Sequence, residues 1–280
     1  MCNSSTYGID EAERDLPDLE RWSDKLMQIA QEVIGSDSLR ITKDPFRLMC
    51  LAFLTRQIDH VASLIALHGH RDMTLIARSM LEGMVILMWV TKDVRVRAAQ
   101  WRDFVYVHDW RMFQRHQKEG RPVRDEDLVE VTRHLQDVEE QFHSPRTRKR
   151  LKIGGTPPTD PYRGNWIGKT WYSLFKDVCL LDWYQRFYAP FADWHHWGAA
   201  SLVLSVTATK AGFVYSSSRA DDTAYALLIG ISSLHVILQV ADVELGLGIG
   251  SDLEAYREEF EKWHTDRGAR WGIPFLAPRE

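Results

Sequence analysis

The sequence has few cysteines, and their spacing supports neither a disulfide framework nor a metal knuckle. Cys2, Cys50 and Cys179 lie far apart, and none belongs to a Cys-x-x-Cys pair. Disulfide-stabilised secreted folds and zinc knuckles are therefore not indicated. The first residues, MCNSSTYGIDEAERD, contain no basic segment followed by an apolar one. We therefore expect no secretory signal and a cytoplasmic location.

Motifs that mark common enzyme classes are also missing. No His-Glu-x-x-His sequence occurs, and the glycine run at 246–250 follows a predicted helix rather than a strand, unlike a phosphate-binding loop. Helical di-metal sites take Glu-x-x-His pairs from two helices, and Glu140 with His143, on a charged predicted helix beside a loop, is one pair of this spacing. We expect no cofactor, and a metal-dependent helical enzyme is kept as a second alternative. The ligands to test for that alternative are Glu82, His60, His195 and His196.

The charge balance argues against a globally basic nucleic-acid binder. The 280 residues are 45% hydrophobic and 26% charged, with a formal net charge of -4. Such a chain can bury a large core, and any basic surface must be local. The sequence shows no convincing strand alternation and no repeat of fixed period, which leaves helices as the main element.

Apolar residues recur at helical spacing through most of the chain and predict an all-α fold. Asp44 with Pro45, and Asp93, mark helix starts. A further helix is expected through WGAASLVLSVTAT, and another near Trp183 is expected to break around Pro190. We predict a single bundle-like domain over residues 1–280 with about nine or ten helices. A long Pro/Gly-rich basic loop at about 144–169 is the one place where the domain could divide.

One predicted helix, TAYALLIGISSLHVILQVADVELG, approaches the length of a membrane span. His235, Gln239, Asp242 and Glu244 make burial inside the protein the better interpretation, so no membrane is expected as a partner.

The first candidate site lies on the predicted helix MTLIARSMLEGMVILMWV. Arg78 and Glu82 are one turn apart and are the only charged residues between Asp72 and Lys92. If the pair faces solvent, it is a weak surface ion pair. If the apolar helix is surrounded by protein, the pair faces a polar cavity, where the guanidinium can bind an anion. We favour the cavity.

The second candidate site is the segment RFYAPFADWHHWGAAS. His195 and His196 project about 100 degrees apart on a helix, so one of them is structural, and Asp193 can orient the other as a base. A satisfied histidine with no catalytic role is the alternative. Tryptophan is abundant, with 11 in the chain. Five of these lie between residues 166 and 197, as part of a core or as the wall of a ligand site: Trp166, Trp171, Trp183, Trp194 and Trp197.

A basic stretch lies in the predicted loop. It places five positive charges in seven residues, which attract phosphate, although a solvated charged loop is the simpler interpretation. These residues are Arg146, Arg148, Lys149, Arg150 and Lys152.

Two stretches together resemble a family of mainly bacterial, all-helical domains of unknown function. They are LIALHGHRDMTLIARSMLEGMVILMWVTKD and NWIGKTWYSLFKDVCLLDWYQRFYAPFADWHHWG. That family shows an Arg-x-x-x-Glu on a central helix, a Trp opening a later helix, and a tyrosine-rich helix leading to a histidine. The resemblance implies functional positions at Arg78, Glu82, Trp166, Tyr184, Tyr188 and His195 or His196. It implies no activity, and Ala192 stands where the family often has a serine.

The chain is also similar in a limited way to the HEPN ribonucleases, whose motif is an Arg followed after four to six residues by a His. Arg111 and His116 have this spacing, with Met112 in place of the usual polar residue. In that motif the arginine steadies a phosphate and the histidine moves protons.

Two function classes stay open. One is an RNA- or nucleotide-directed, metal-independent enzyme of a bacterial toxin or phage-defence kind. The other is a non-enzymatic helical binder of a small anionic or aromatic ligand or of a partner protein. A homodimer is an expectation in either case. The catalytic candidates are Arg78, Glu82, His195 and His196, and the ligand-binding candidates are Trp166, Tyr184, Tyr188, Trp194, Arg146, Arg148, Lys149 and Arg150.

Overall fold

A computed structural model describes residues 9–35, 43–195, 206–209, 212–215 and 220–267. Helices dominate these residues, and a short antiparallel hairpin pairs Val206–Thr209 with Gly212–Tyr215. The elements in chain order are α1 (Ile9–Gly35), α2 (Pro45–Ala66), α3 (Met73–Thr91), α4 (Val94–Lys118), α5 (Asp125–Phe142), α6 (Pro145–Lys152), α7 (Trp171–Asp177), α8 (Leu181–Trp183), a π turn (Tyr184–Tyr188), α9 (Ala189–His195), β1 (Val206–Thr209), β2 (Gly212–Tyr215), α10 (Ala220–Leu245) and α11 (Gly250–Asp266).

The predicted all-α, multi-helix fold class is confirmed. Two of the predicted start signals act as caps, since the Asp44 side chain accepts from Arg47 N at 2.8 Å and the Asp93 side chain accepts from Val96 N. These bonds satisfy amide groups that the first turn of a helix leaves without a partner.

Helix α10 forms the centre of the larger hydrophobic core. It packs against α1, α2 and α3 and is buried on every side over most of its length. Helix α3 packs in turn against α7, the π turn and α9. By length and composition alone, α2, α3 and α10 could each span a membrane. That α10 is buried in protein rather than in a membrane therefore stays a prediction.

A second, smaller core joins α4 and α5 to the segment that follows α6. Its buried members are Phe104, Val107, Val131, Leu135, Phe142 and Tyr162. Arg111 closes this unit from α4, because its guanidinium donates to the Asp160 carboxylate at 3.0 and 3.3 Å and to the Tyr162 and Arg163 carbonyls. The arginine of the HEPN-like spacing is therefore engaged in holding a loop.

The first part of the segment expected to be a basic loop, at 144–169, is a helix instead. Residues Pro145–Lys152 form helix α6, so Arg146, Arg148, Lys149 and Arg150 stand on a helix. Ser144 explains the difference, since its hydroxyl accepts from Thr147 N at 3.2 Å and Pro145 occupies the first helical position. The irregular segment begins only after this helix.

The expected break near Pro190 is a π turn rather than an interruption. Ala189 N donates to Tyr184 O, five residues back, and the chain stays helical on either side. Pro190 has no amide hydrogen for the Arg186 carbonyl four residues back, so a wider turn relieves that mismatch. The helix expected through WGAASLVLSVTAT is wrong at its end, because Val206–Thr209 is a strand. Its β-branched residues favour that conformation, and residues 196–205 lie outside the described part.

Gly230 marks the closest approach of α10 to its neighbours. A Cβ at this position would lie 2.8 Å from Leu64 Cδ1 and 3.5 Å from Met80 Sδ. We expect Gly230→Ala to lower the free energy of unfolding, because overpacking against the buried Leu64 costs about 1–3 kcal/mol and exceeds the gain of about 1 kcal/mol in helix propensity. Urea denaturation measures this. Gly35→Ala, with nothing within 4 Å of the added Cβ, is the control, and equal stability of the two variants would contradict the proposed tight contact.

His235 on α10 makes stability depend on pH. Burial lowers its pKa from 6.5 to about 4, so the folded protein keeps it neutral while the unfolded chain takes up a proton. Stability should fall as pH drops from about 6.5 to about 4, by roughly 3 kcal/mol from this residue. Urea unfolding at several pH values should show a smaller acid loss in His235→Leu. His116→Asn should retain the wild-type slope, and an unchanged slope in His235→Leu would refute the assignment.

Candidate functional site

Arg78 and Glu82 form an ion pair that is shielded from most of the solvent. Arg78 Nε donates to Glu82 Oε1 at 3.1 Å, and the two side chains are 18% and 26% exposed. The π turn supplies a further partner, since Tyr188 Oη accepts from Arg78 Nη2 at 3.2 Å. The guanidinium carbon also lies 4.9 Å from the centroid of the Tyr188 ring, which adds a cation–π attraction.

Tyr188 is held by other rings. Trp171, Phe175 and Tyr184 place their centroids 5.5, 5.2 and 5.3 Å from its ring. Burial, and then the negative charge of Glu82, raise the pKa of the Tyr188 hydroxyl. The phenol therefore stays protonated and keeps its place beside the ion pair.

Helix α2 brings a histidine to the neighbouring face of α3. His60 Nε2 lies 3.2 Å from Ser79 Oγ, and Arg56 Nε donates to the same nitrogen at 3.3 Å. A guanidinium N–H can only donate, so Nε2 must be the acceptor and the neutral ring carries its proton on Nδ1. Burial, and then the charge of Arg56, lower the pKa of His60. His60 is therefore a neutral imidazole whose Nε2 lone pair accepts from its neighbours at the cavity wall.

Gln57 of α2 lines the space between α2 and α3. Its Nε2 donates to Met80 O at 3.0 Å, while its Oε1 is buried and has no hydrogen-bond partner in the part of the chain that the structure describes. Gly83 makes this approach possible, because a Cβ there would lie 2.7 Å from Gln57 Nε2. A buried acceptor without a donor is costly to stability.

These residues line two adjoining cavities that share Ser79 and Glu82. We name the combined space the α2–α3 pocket. One cavity has a volume of about 230 Å³ and is lined by Phe53, Arg56, Gln57, His60, Ser79, Glu82, Gly83 and Ile86. The other has a volume of about 210 Å³ and is lined by Leu75, Arg78, Ser79 and Glu82. Each has room for a small anionic group, since sites for whole drug-sized ligands usually measure roughly 300–1,000 Å³.

The structure unites some of the predicted site residues and separates others. Arg78, Glu82, Tyr188 and Tyr184 form one contact group. Trp166 instead packs on Trp89, with centroids 5.8 Å apart. Trp89 is eleven residues beyond Arg78 on α3, about 16 Å along the axis. Trp166 also precedes α7 rather than opening it.

The predicted basic residues Arg146, Arg148, Lys149 and Arg150 lie on α6 and do not line the α2–α3 pocket. Helix α6 is held by α5 and the segment after it, since Arg148 donates to Gln141 O and Thr147 Oγ1 donates to Pro161 O. Helix α9 ends at His195. The side chains of Trp194 and His195, and the whole of His196, lie outside the described part.

The described residues contain no group of three or more His, Cys, Asp or Glu that could hold a metal ion. His60 and Glu82, two of the ligands considered for the metal alternative, do line the same cavity.

The comparison with protein families identifies the chain. The model of DUF5677, a family of unknown function, matches residues 48–213, more than half of the chain. The chain belongs to the DUF5677 family. The matched region contains all but the first three residues of α2, together with α3 and the π turn, and hence the whole α2–α3 pocket. The expected membership of an uncharacterised helical family is confirmed, and a relationship to the HEPN ribonucleases is not shown. No curated protein and no solved structure matches the chain.

Sequence reasoning missed Arg56, Gln57 and Ser79, and it considered His60 only as a metal ligand. A signal was present, because Arg56 and His60 are four residues apart on an apolar helix, the same spacing as Arg78 and Glu82. What the sequence does not give is the rotation of α2 about its axis, which turns this pair toward Ser79.

Tyr188→Phe tests the contact between the π turn and α3. Loss of the hydroxyl leaves Arg78 Nη2 without its acceptor, so we expect the free energy of unfolding to fall by about 1 kcal/mol. Chemical denaturation followed by tryptophan fluorescence measures this. Tyr184→Phe removes a hydroxyl from the adjacent stacked ring and should change stability much less. A larger loss in Tyr184→Phe than in Tyr188→Phe would overturn this description of the site.

Proposed function

We propose that the α2–α3 pocket binds a phosphate-bearing ligand of the RNA or nucleotide class and that His60 is its acid–base group, acting without a metal. One observation carries the proposal: the lone pair of His60 Nε2 meets both the Arg56 guanidinium and the Ser79 hydroxyl at the wall of a cavity.

The charges of the pocket favour an anion. Arg56 and Arg78 bring two positive charges against the single carboxylate of Glu82. Arg78 uses Nε on Glu82 and Nη2 on Tyr188, and its Nη1 has no partner among the described residues. A guanidinium held in place by other contacts binds phosphate oxygens with little reorganisation.

The state of His60 suits proton transfer. When a ligand phosphate takes over the Arg56 donor, Nε2 of the neutral imidazole can take a proton from an attacking hydroxyl, and the resulting imidazolium can return it to the leaving group. Arginine beside the reacting phosphate stabilises the added negative charge. These elements together supply what metal-independent phosphodiester chemistry requires.

The exposed basic residues of α6 favour a polymeric substrate over a mononucleotide. Arg146, Arg148, Lys149 and Arg150 are all exposed on one short helix, and such a cluster binds phosphate groups in a salt-dependent way. An RNA strand that contacts α6 would gain affinity that a mononucleotide lacks.

A non-enzymatic binder is the second candidate. It is favoured by the three-way contact of Arg78 with Glu82 and the hydroxyl and ring of Tyr188, which holds the guanidinium in a fixed orientation suited to recognition. In this candidate the same pocket binds the same class of ligand without turnover.

Assays of purified protein with RNA and with mononucleotides, in the presence of a chelator, test the proposal. We expect His60→Gln to abolish cleavage while retaining binding, and Arg56→Gln to weaken binding about tenfold or more, as expected for loss of a charged hydrogen bond. Arg133→Gln, an exposed arginine on α5, is the charge-matched control.

The outcomes separate the candidates. Binding that depends on Arg56, with no cleavage by the wild type, supports the non-enzymatic binder. Neither binding nor cleavage, or cleavage that survives in His60→Gln, refutes the proposed role of the pocket.

A further inference from the structure

A larger cavity lies at the start of α2, against the faces of α4 and α5. Its volume is about 560 Å³, within the usual range of sites that hold a whole small ligand. Its lining shares no residue with the α2–α3 pocket. We name it the α4–α5 cavity, lined by Lys43, Pro45, Leu48, Arg102, Asp103, Tyr106, His134, Asp137 and Val138.

A flat aromatic surface belongs to this cavity. The rings of Tyr106 and His134 are stacked with centroids 4.5 Å apart and an angle of 10° between their planes. Leu48 and Val138 add apolar side chains to the lining. A planar ligand ring can extend such a stack at little conformational cost, as nucleobases do on aromatic side chains.

Two carboxylates make the cavity selective for hydrogen-bond donors. Asp103 is only 7% exposed, and Arg102 Nε donates to its Oδ1 at 2.7 Å. Its Oδ2 has no partner among the described residues. Asp137, one turn beyond His134 on α5, adds a second carboxylate at the exposed side. Carboxylates accept two parallel N–H groups well.

Two cations complete the lining. The side chain of Arg102 is 48% exposed, so most of its guanidinium can reach a ligand while Nε holds Asp103. Lys43 is exposed just before α2. These groups are suited to a phosphate at the mouth of the cavity.

We infer that the α4–α5 cavity binds a guanine nucleotide. The base stacks on the Tyr106–His134 pair, and the Asp137 carboxylate accepts from the ring N–H and the amino group of guanine. Lys43 and Arg102 contact the phosphate. Adenine presents an acceptor nitrogen beside its amino group, so the carboxylates repel it. The assignment rests on this cavity alone and is independent of the function proposed for the α2–α3 pocket.

Isothermal titration of the full chain with GMP, AMP and inorganic phosphate tests the inference. We expect GMP to bind about tenfold or more tightly than AMP, as a bidentate contact implies, and inorganic phosphate to bind more weakly than either. Asp137→Asn should reduce GMP affinity by a similar factor, and it should fold because Asp137 is exposed. Asp125→Asn, at the start of the same helix, is the matched control.

A second pair of variants assigns the binding to one site. The preference for GMP over AMP should disappear in Tyr106→Leu and persist in Arg56→Gln, a change in the other pocket that affects the phosphate common to both ligands. The reverse result would place GMP in the α2–α3 pocket and overturn the inference. Equal affinity for AMP and GMP, or wild-type affinity in Asp137→Asn, would also overturn it.

Discussion

The burial of α10 is the constraint on which the rest of the structure depends. This helix has no polar face to offer to solvent along most of its length, so α1, α2 and α3 must surround it. Gly230 lets α10 come close enough for Leu64 of α2 and Met80 of α3 to meet over its backbone. The same packing fixes α2 beside α3, and the α2–α3 pocket lies on the side of that pair that faces away from α10.

Helix α3 consequently serves two purposes. Its buried apolar side chains belong to the core, while Arg78, Ser79 and Glu82 lie on the remaining stripe. A charged pair in such a position is tolerated because each charge has a partner. Arg78 contacts both the Glu82 carboxylate and the Tyr188 hydroxyl of the π turn. The aromatic residues of α7 and the π turn are therefore part of the site as well as of the core, because Trp171, Phe175 and Tyr184 hold Tyr188 against the guanidinium.

Much of the fold and part of the site could be predicted from the sequence. Periodicity gave the helices, caps such as Asp44 and Asp93 gave their starts, and Arg78 with Glu82 followed from the four-residue spacing. Helix α6 was missed although Ser144 and Pro145 are a local signal for a helix start, because the many prolines and glycines after it dominated the interpretation.

The contacts between elements could not be predicted in the same way. The meeting of His60 with Ser79 depends on how α2 and α3 are rotated against each other, and spacing within one helix carries no information on that rotation. The placement of Trp166 beside Trp89 likewise depends on the path of an irregular segment, for which the sequence has no periodic signal.

The π turn takes up one extra residue between α8 and α9 without interrupting the helix. Because Ala189 N reaches back five residues to Tyr184 O, this turn holds one residue more than a regular α-helical turn. Removal of a single residue between 184 and 188 would restore an ordinary α-helical turn and would leave α9 in nearly its present orientation. The number of residues there is therefore fixed less by the helix that follows than by the ring and hydroxyl contacts of Tyr188.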